Sequence, residues 1–157
     1  MTPPELKLKP GHKAPDFVAT TQTGEQVSLS DFKGKHVVLY FYPRDDTPGC
    51  TKEACAFRDE FAALKKKGAV VLGVSTDPVK SHARFVEKYK LPFTLLADDD
   101  KKLVQAYGAW GQKSFMGRKY MGTFRVTFLI APDGTIKHVW PLVKPAEHAA
   151  EVLKALG

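Results

Sequence analysis

Cys50 and Cys55 are the only cysteines of the chain, and both lie in the stretch Pro43-Arg44-Asp45-Asp46-Thr47-Pro48-Gly49-Cys50-Thr51-Lys52-Glu53-Ala54-Cys55. Thr47 is a helix-capping residue type and Pro48 suits a first helical position, which puts Cys50 on the first turn of a helix. A thiol there faces backbone N–H groups without intrahelical partners and the positive end of the helix dipole. Both favour the thiolate, the reactive form of cysteine. Cys55 falls in the apolar-periodic part of the same helix, where a cysteine also serves as a small buried hydrophobe. The pattern does not suit a metal. Structural zinc takes four ligands, often from close Cys or His pairs, whereas His12, His36, His82, His138 and His148 are scattered and read as surface or strand-edge residues.

The elements that must position these thiols follow from the apolar runs. Val37–Tyr42 reads as a buried strand ended by Pro43. From Pro48 to Lys67 the apolar residues Ala54, Phe57, Phe61 and Leu64 recur at helical spacing, and Gly68 closes the helix. Ala69–Ser75 is a second buried strand, Val79–Tyr89 a helix, Phe93–Ala97 a short strand and Lys101–Tyr107 a short helix. Thr123–Ala131 and Thr135–Trp140 flank the turn signal Pro132-Asp133-Gly134 and form a hairpin, and Pro145–Leu156 is the last helix. This order predicts an α/β fold with a central mixed sheet and helices on both faces.

The bulk numbers set limits. At 157 residues, 43% hydrophobic and 26% charged, the chain reads as one domain over 1–157 with a sizeable core. The apolar runs are far too short to span a membrane, and Met1-Thr2-Pro3-Pro4-Glu5-Leu6-Lys7 has no apolar leader core. A close cysteine pair without a leader indicates the reducing cytoplasm, where it is catalytic rather than structural. Net charge is +7, from 24 basic and 17 acidic residues. Lys65-Lys66-Lys67 closes a helix, where cations complement the dipole, and Asp98-Asp99-Asp100-Lys101-Lys102 mixes both signs. No nucleic-acid partner is expected. With no long apolar stripe and no extra terminal arm, a monomer is expected.

The motif P-x-x-x-T-P-G-C-T-x-E-A-C resembles the active-site motif of the peroxiredoxins, specifically the Q type or bacterioferritin comigratory proteins. Trp110-Gly111 to Phe115-Met116-Gly117, then Gly122 to Ile130, resembles the family's W-G-x-K-x-x-x-G…R-x-T/S-F-L-I segment, and Gly11-His12-Lys13-Ala14-Pro15-Asp16-Phe17 its G-x-x-A-P-D-F start. Gln112 departs from the pattern, where Lys or Glu is more usual. The resemblance spans nearly the whole chain and implies a thioredoxin-like fold. It also implies that Cys50 attacks peroxide, that Cys55 resolves the product through a Cys50–Cys55 disulfide, and that a thioredoxin-like dithiol protein reduces that disulfide.

A free thiol is only about 3% thiolate at neutral pH, so full ionisation gains about thirtyfold. The larger share of catalysis must come from orienting the peroxide and stabilising its leaving oxygen. Thr47 can supply a hydroxyl while serving as N-cap. Pro43 ends the strand and would limit water access to the thiolate. Arg125 reads, by its residues alone, as an outward-facing or edge arginine in an apolar strand; the resemblance implies the active-site arginine. No metal or cofactor is required, since sulfur carries the electrons. Residues five apart in a helix have Cα atoms about 8.6 Å apart and point about 140° away from each other. A disulfide needs Cα atoms within roughly 7 Å, so the first turns must unwind before Cys55 reaches Cys50.

Two other functions use the same residues. A thiol–disulfide oxidoreductase would place both thiols at the helix start as C-x-x-C, unlike the gap here. A non-catalytic binding module would need neither Thr47 nor Arg125.

Overall fold

The computed structural model describes residues 5–157; Met1–Pro4, part of the segment read above as lacking a leader, lie outside the described residues. Among the described residues nine strands and four α-helices follow one another, with the central strand β3 running from His36 to Phe41. From Val37 onward β3 is almost wholly buried. Its near-continuous apolar run suits a strand covered on both faces. β3 pairs in parallel with β4 (Ala69–Ser75), and β4 in parallel with β5 (Thr94–Ala97). On its other side β3 pairs antiparallel with β8 (Val126–Ile130), which turns through Gly134 into β9 (Ile136–Trp140). A hairpin of β1 (Val18–Thr21) and β2 (Gln26–Ser28) adds antiparallel to β5. The mixed sheet has the order β2-β1-β5-β4-β3-β8-β9.

Alternation along β3 sends side chains into two cores. Val38 and Tyr40 meet Ala54, Phe57 and Leu64 of α1 (Pro48–Lys66), Phe85 of α2 (Val79–Tyr89), and Ala149 and Val152 of α4 (His148–Ala155). Val37, Leu39 and Phe41 meet Leu103 and Val104 of α3 (Lys102–Ala106) and Leu29 of a short 3-10 helix. Helices therefore cover both faces, as the element order requires. Stacking of Tyr40 on Phe57, with ring centroids 4.7 Å apart, fixes α1 against β3; truncating such a buried ring to alanine costs about 3–5 kcal/mol.

Three expectations are corrected. The segment Thr123–Ala131 is not one strand: β7 ends at Thr123 and β8 begins at Val126, leaving Phe124 and Arg125 between them. The last helix starts at His148 rather than Pro145. His82 and His148 are fully buried, each on a helix, and are not surface or strand-edge residues. Outside the main sheet, β6 (Trp110–Phe115) and β7 (Arg118–Thr123) form a two-stranded ribbon.

Candidate active site

The site forms where β3 ends and α1 begins. Residues 42–47 connect them, and hydrogen bonds to α2 and to Asp77, which lies between β4 and α2, fix this turn. Asp45 is buried; its N–H donates to Asp77 Oδ2 at 2.8 Å, and its carboxylate accepts from Tyr42 Oη at 2.6 Å and Ser81 Oγ at 2.8 Å. His82 Nδ1 lies 2.7 Å from Asp45 Oδ2, and its Nε2 donates to the Leu96 carbonyl at 2.8 Å. The Asp45, Asp77 and His82 ligand atoms lie within 4.8 Å of one another. They are engaged in this hydrogen-bond network, which holds the turn. Asp46, at φ +57°, accepts from Lys88 Nζ and Tyr89 Oη of α2.

Thr47 is the N-cap of α1, with Pro48 at its first helical position, as its sequence predicts. Its hydroxyl does not cap the helix, however; it donates to the Arg44 carbonyl at 2.9 Å. That leaves the hydroxyl lone pairs as acceptors. The first intrahelical bond runs from Thr51 N–H to the Thr47 carbonyl at 2.8 Å, so the Gly49 and Cys50 N–H groups belong to the unsatisfied start of the helix. Pro43 is half-buried, two residues after the end of β3.

Cys50 is 2% exposed, and Arg125 Nη2 donates to its Sγ at 3.3 Å. The arginine, read from the residues alone as facing outward, is turned in. Its other arm, Nη1, donates to Glu53 Oε1 at 2.8 Å. A Cβ on Gly49 would lie 3.1 Å from Arg125 Nη2, so the absence of a side chain there leaves room for the guanidinium. Glu53 is fully buried. Burial pushes its carboxyl up to about 7, against the pull of Arg125. Arg125 loses solvation, yet Glu53 and Cys50 hold its proton more tightly than usual.

Cys50 and Arg125 thus come together, while Thr47 stands as the N-cap of the helix that carries Cys50 and Pro43 lies two residues before Asp45 in the preceding turn. Cys55 does not join them: it is half-buried on the same helix, and both thiols are free. Glu53 was given no role on sequence grounds, although it follows Cys50 by three residues and so shares its helix face. Lys113 was also missed. Its ammonium donates to the Thr123 carbonyl at 2.9 Å, it is 9% exposed, and burial followed by the Arg125 charge lowers its pKa while Cys50 opposes them.

Fold and site define a thiol enzyme on a thioredoxin-like sheet, with one cysteine held beside an arginine. Residues 10–139 match the AhpC/TSA family. Peroxiredoxin Bcp of Escherichia coli is 50% identical over 149 residues, covering 95% of this chain and 96% of that protein. Peroxiredoxin Bcp of Bacillus subtilis is 48% identical over 151 residues, covering 96% of each. Among solved structures, a PrxQ variant of Xylella fastidiosa superposes with a TM-score of 0.90 at 35% identity over 95% of each chain. The bacterioferritin comigratory protein of Xanthomonas campestris, described for its alkyl peroxide reduction activity, superposes with a TM-score of 0.87 at 38% identity over 97% of each chain. The chain belongs to the AhpC/TSA family, as a peroxiredoxin of the Bcp or Q type, and is a thiol-dependent peroxidase. No helix among the described residues is long and apolar enough to cross a membrane.

Proposed function

We propose that Cys50 is the peroxide-attacking residue and Cys55 its resolving partner, in one domain spanning residues 1–157. The Arg125–Cys50 contact at 3.3 Å is the observation that carries this reading. The Cys50 thiolate attacks one peroxide oxygen, the S–O bond forms as the O–O bond breaks, and sulfur supplies both electrons. The departing oxygen leaves as hydroxide or alkoxide and takes a proton to become water or alcohol. Arg125 and the Gly49 and Cys50 N–H groups are the donors available to the developing negative charge. The Thr47 hydroxyl, already donating to Arg44, accepts from the peroxide O–H and so orients it. Pro43 limits water at the thiolate.

Cys50 sulfenic acid then condenses with the Cys55 thiol, releasing water and forming a disulfide within the chain. A thioredoxin-like dithiol protein reduces it by exchange. Both hydrogen peroxide and organic hydroperoxides fit this chemistry, since only the O–O bond is attacked. We infer a cytoplasmic monomer that needs no metal or cofactor and no nucleic-acid partner. A C-x-x-C-type oxidoreductase is the poorer reading, because Cys55 lies beyond the helix start.

The test is peroxide consumption with a thioredoxin system, comparing wild type, Cys50→Ser and Cys55→Ser, with sedimentation run alongside to read the oligomeric state. Disulfide exchange between proteins without peroxide consumption would overturn the reading.

A further inference from the structure

The W-G-x-K segment and Gly122 contribute no group to the chemistry above, yet they converge on the residue before Arg125. Phe124 N–H donates to the Ala109 carbonyl at 2.7 Å, closing the base of the β6–β7 ribbon. Gly111 pairs with Gly122 across that ribbon, and Lys113 pairs with Tyr120. A Cβ on Gly111 would lie 2.8 Å from Phe124 Cε2, so the ring rests directly on the Gly111 backbone. A Cβ on Gly122 would lie 3.0 Å from Lys113 Cδ, so that glycine makes room for the lysine stem. The stem carries the ammonium to the Thr123 carbonyl, 5.8 Å from the centroid of the Phe124 ring.

A lysine only 9% exposed, with its ammonium on a single carbonyl, is a costly arrangement, since two of its donors have no hydrogen-bond partner among the described residues. An apolar residue would fill the same space without that cost. The arrangement has a clear effect on Arg125. Phe124 and Arg125 belong to no strand, so beyond the Phe124–Ala109 bond no sheet ladder fixes their backbone. Lys113 grips the carbonyl before Phe124, and Gly111 seats its ring.

We propose that Lys113 is a positioning residue for the peroxide-attack step, acting through Thr123 and Phe124 to hold the Arg125 guanidinium against Cys50. This rests on the reading that Arg125 assists Cys50. Burial and the neighbouring Arg125 charge both work against the lysine proton, while Cys50 favours it, which places all three in one electrostatic neighbourhood.

The experiment is a double-mutant cycle on the stopped-flow rate of Cys50 oxidation by hydrogen peroxide, using Lys113→Met and Arg125→Ala singly and together. Lys113→Met should slow the attack roughly tenfold to a hundredfold, the scale of a misplaced catalytic group. In the Arg125→Ala background it should add almost nothing, because the residue it positions is gone. The later disulfide-forming step, which breaks the Arg125–Cys50 contact, should not slow. Gly122→Ala, which displaces the lysine stem without removing its charge, should reproduce the effect more weakly and decides the matter if Lys113→Met does not fold. A Lys113→Met rate within about twofold of wild type, or an equal loss in both backgrounds, overturns the proposal. A wild-type rate for Arg125→Ala removes the underlying reading, whereas a slow Arg125→Ala with a fast Lys113→Met removes only this inference.

Discussion

Arg125 donates to the Cys50 sulfur at 3.3 Å while its other arm is bound to Glu53 at 2.8 Å. One planar guanidinium thus spans the thiol and a buried carboxylate, a geometry that a single ammonium cannot copy. Arg125→Ala should slow peroxide attack by roughly a hundredfold or more, the effect of removing one charge-stabilising donor. Arg125→Lys should recover only part of that loss. Stopped-flow oxidation of folded variants checks both, and a near wild-type rate for Arg125→Ala would make the arginine structural.

Cys50→Ser should abolish turnover with any peroxide, because a hydroxyl is not ionised at neutral pH and cannot replace the thiolate. Cys50 is buried among Tyr40, Ala54 and Phe57, so the smaller oxygen should leave the fold intact. Steady-state peroxide consumption, with circular dichroism as the fold control, measures this. Substantial turnover would move the chemistry away from Cys50.

Much of this was legible because the decisive signals are local. Thr47-Pro48 marks a helix start by backbone chemistry alone, and Val37–Tyr42 and Ala69–Ser75 are apolar runs of strand length. The β6–β7 ribbon escaped notice because its turn is Met116-Gly117, with Met116 at φ +51°, where Asn or Asp normally advertises such a turn. The β1–β2 hairpin is short and half-exposed, so its alternation is weak. His82 and Asp45 lie far apart in sequence and meet only through packing of α2 on the sheet. Arg125 could not be placed from its apolar neighbours, because the strand break that turns it inward has no residue-type signature. Glu53 was visible in principle, since its i+3 spacing from Cys50 puts both on one helix face.

Glu53 gives a pH dependence of definite sign. Burial raises its folded-state value from 4.5 to about 7, so the folded protein holds this proton more tightly than the unfolded chain. The contribution is fully present below about pH 4.5 and is lost as pH rises through about 7. Glu53→Gln, neutral throughout, does not suffer that loss. Wild type should therefore lose up to about 3 kcal/mol relative to Glu53→Gln between pH 5 and pH 8, from the linkage of a shift of this size. Urea unfolding of both proteins across that range tests it, and parallel curves would show Glu53 to be charged at every pH sampled.

Cys55→Ser should separate the two half-reactions. Its first attack on peroxide should stay fast, because Cys55 is on the same helix but outside the Cys50–Arg125–Glu53 group. Turnover with a thioredoxin-type reductant should fall sharply, and sulfenic or over-oxidised Cys50 should accumulate. In the wild type the two thiols sit on one continuous helix, Pro48–Lys66. Residues five apart there are about 8.6 Å apart at Cα and face about 140° away from each other, beyond the roughly 7 Å that a disulfide allows. Forming the bond must therefore unwind the first turns of α1. It also breaks the Arg125 contacts to Cys50 and Glu53, while the Asp45–His82 network can keep the preceding turn in place. Amide exchange should rise on oxidation over residues 49–55 and stay low at Asp45, and mass spectrometry should find a Cys50–Cys55 link within one chain. A link only between chains, or an intrachain bond with α1 still fully protected, would rule out this unwinding mechanism.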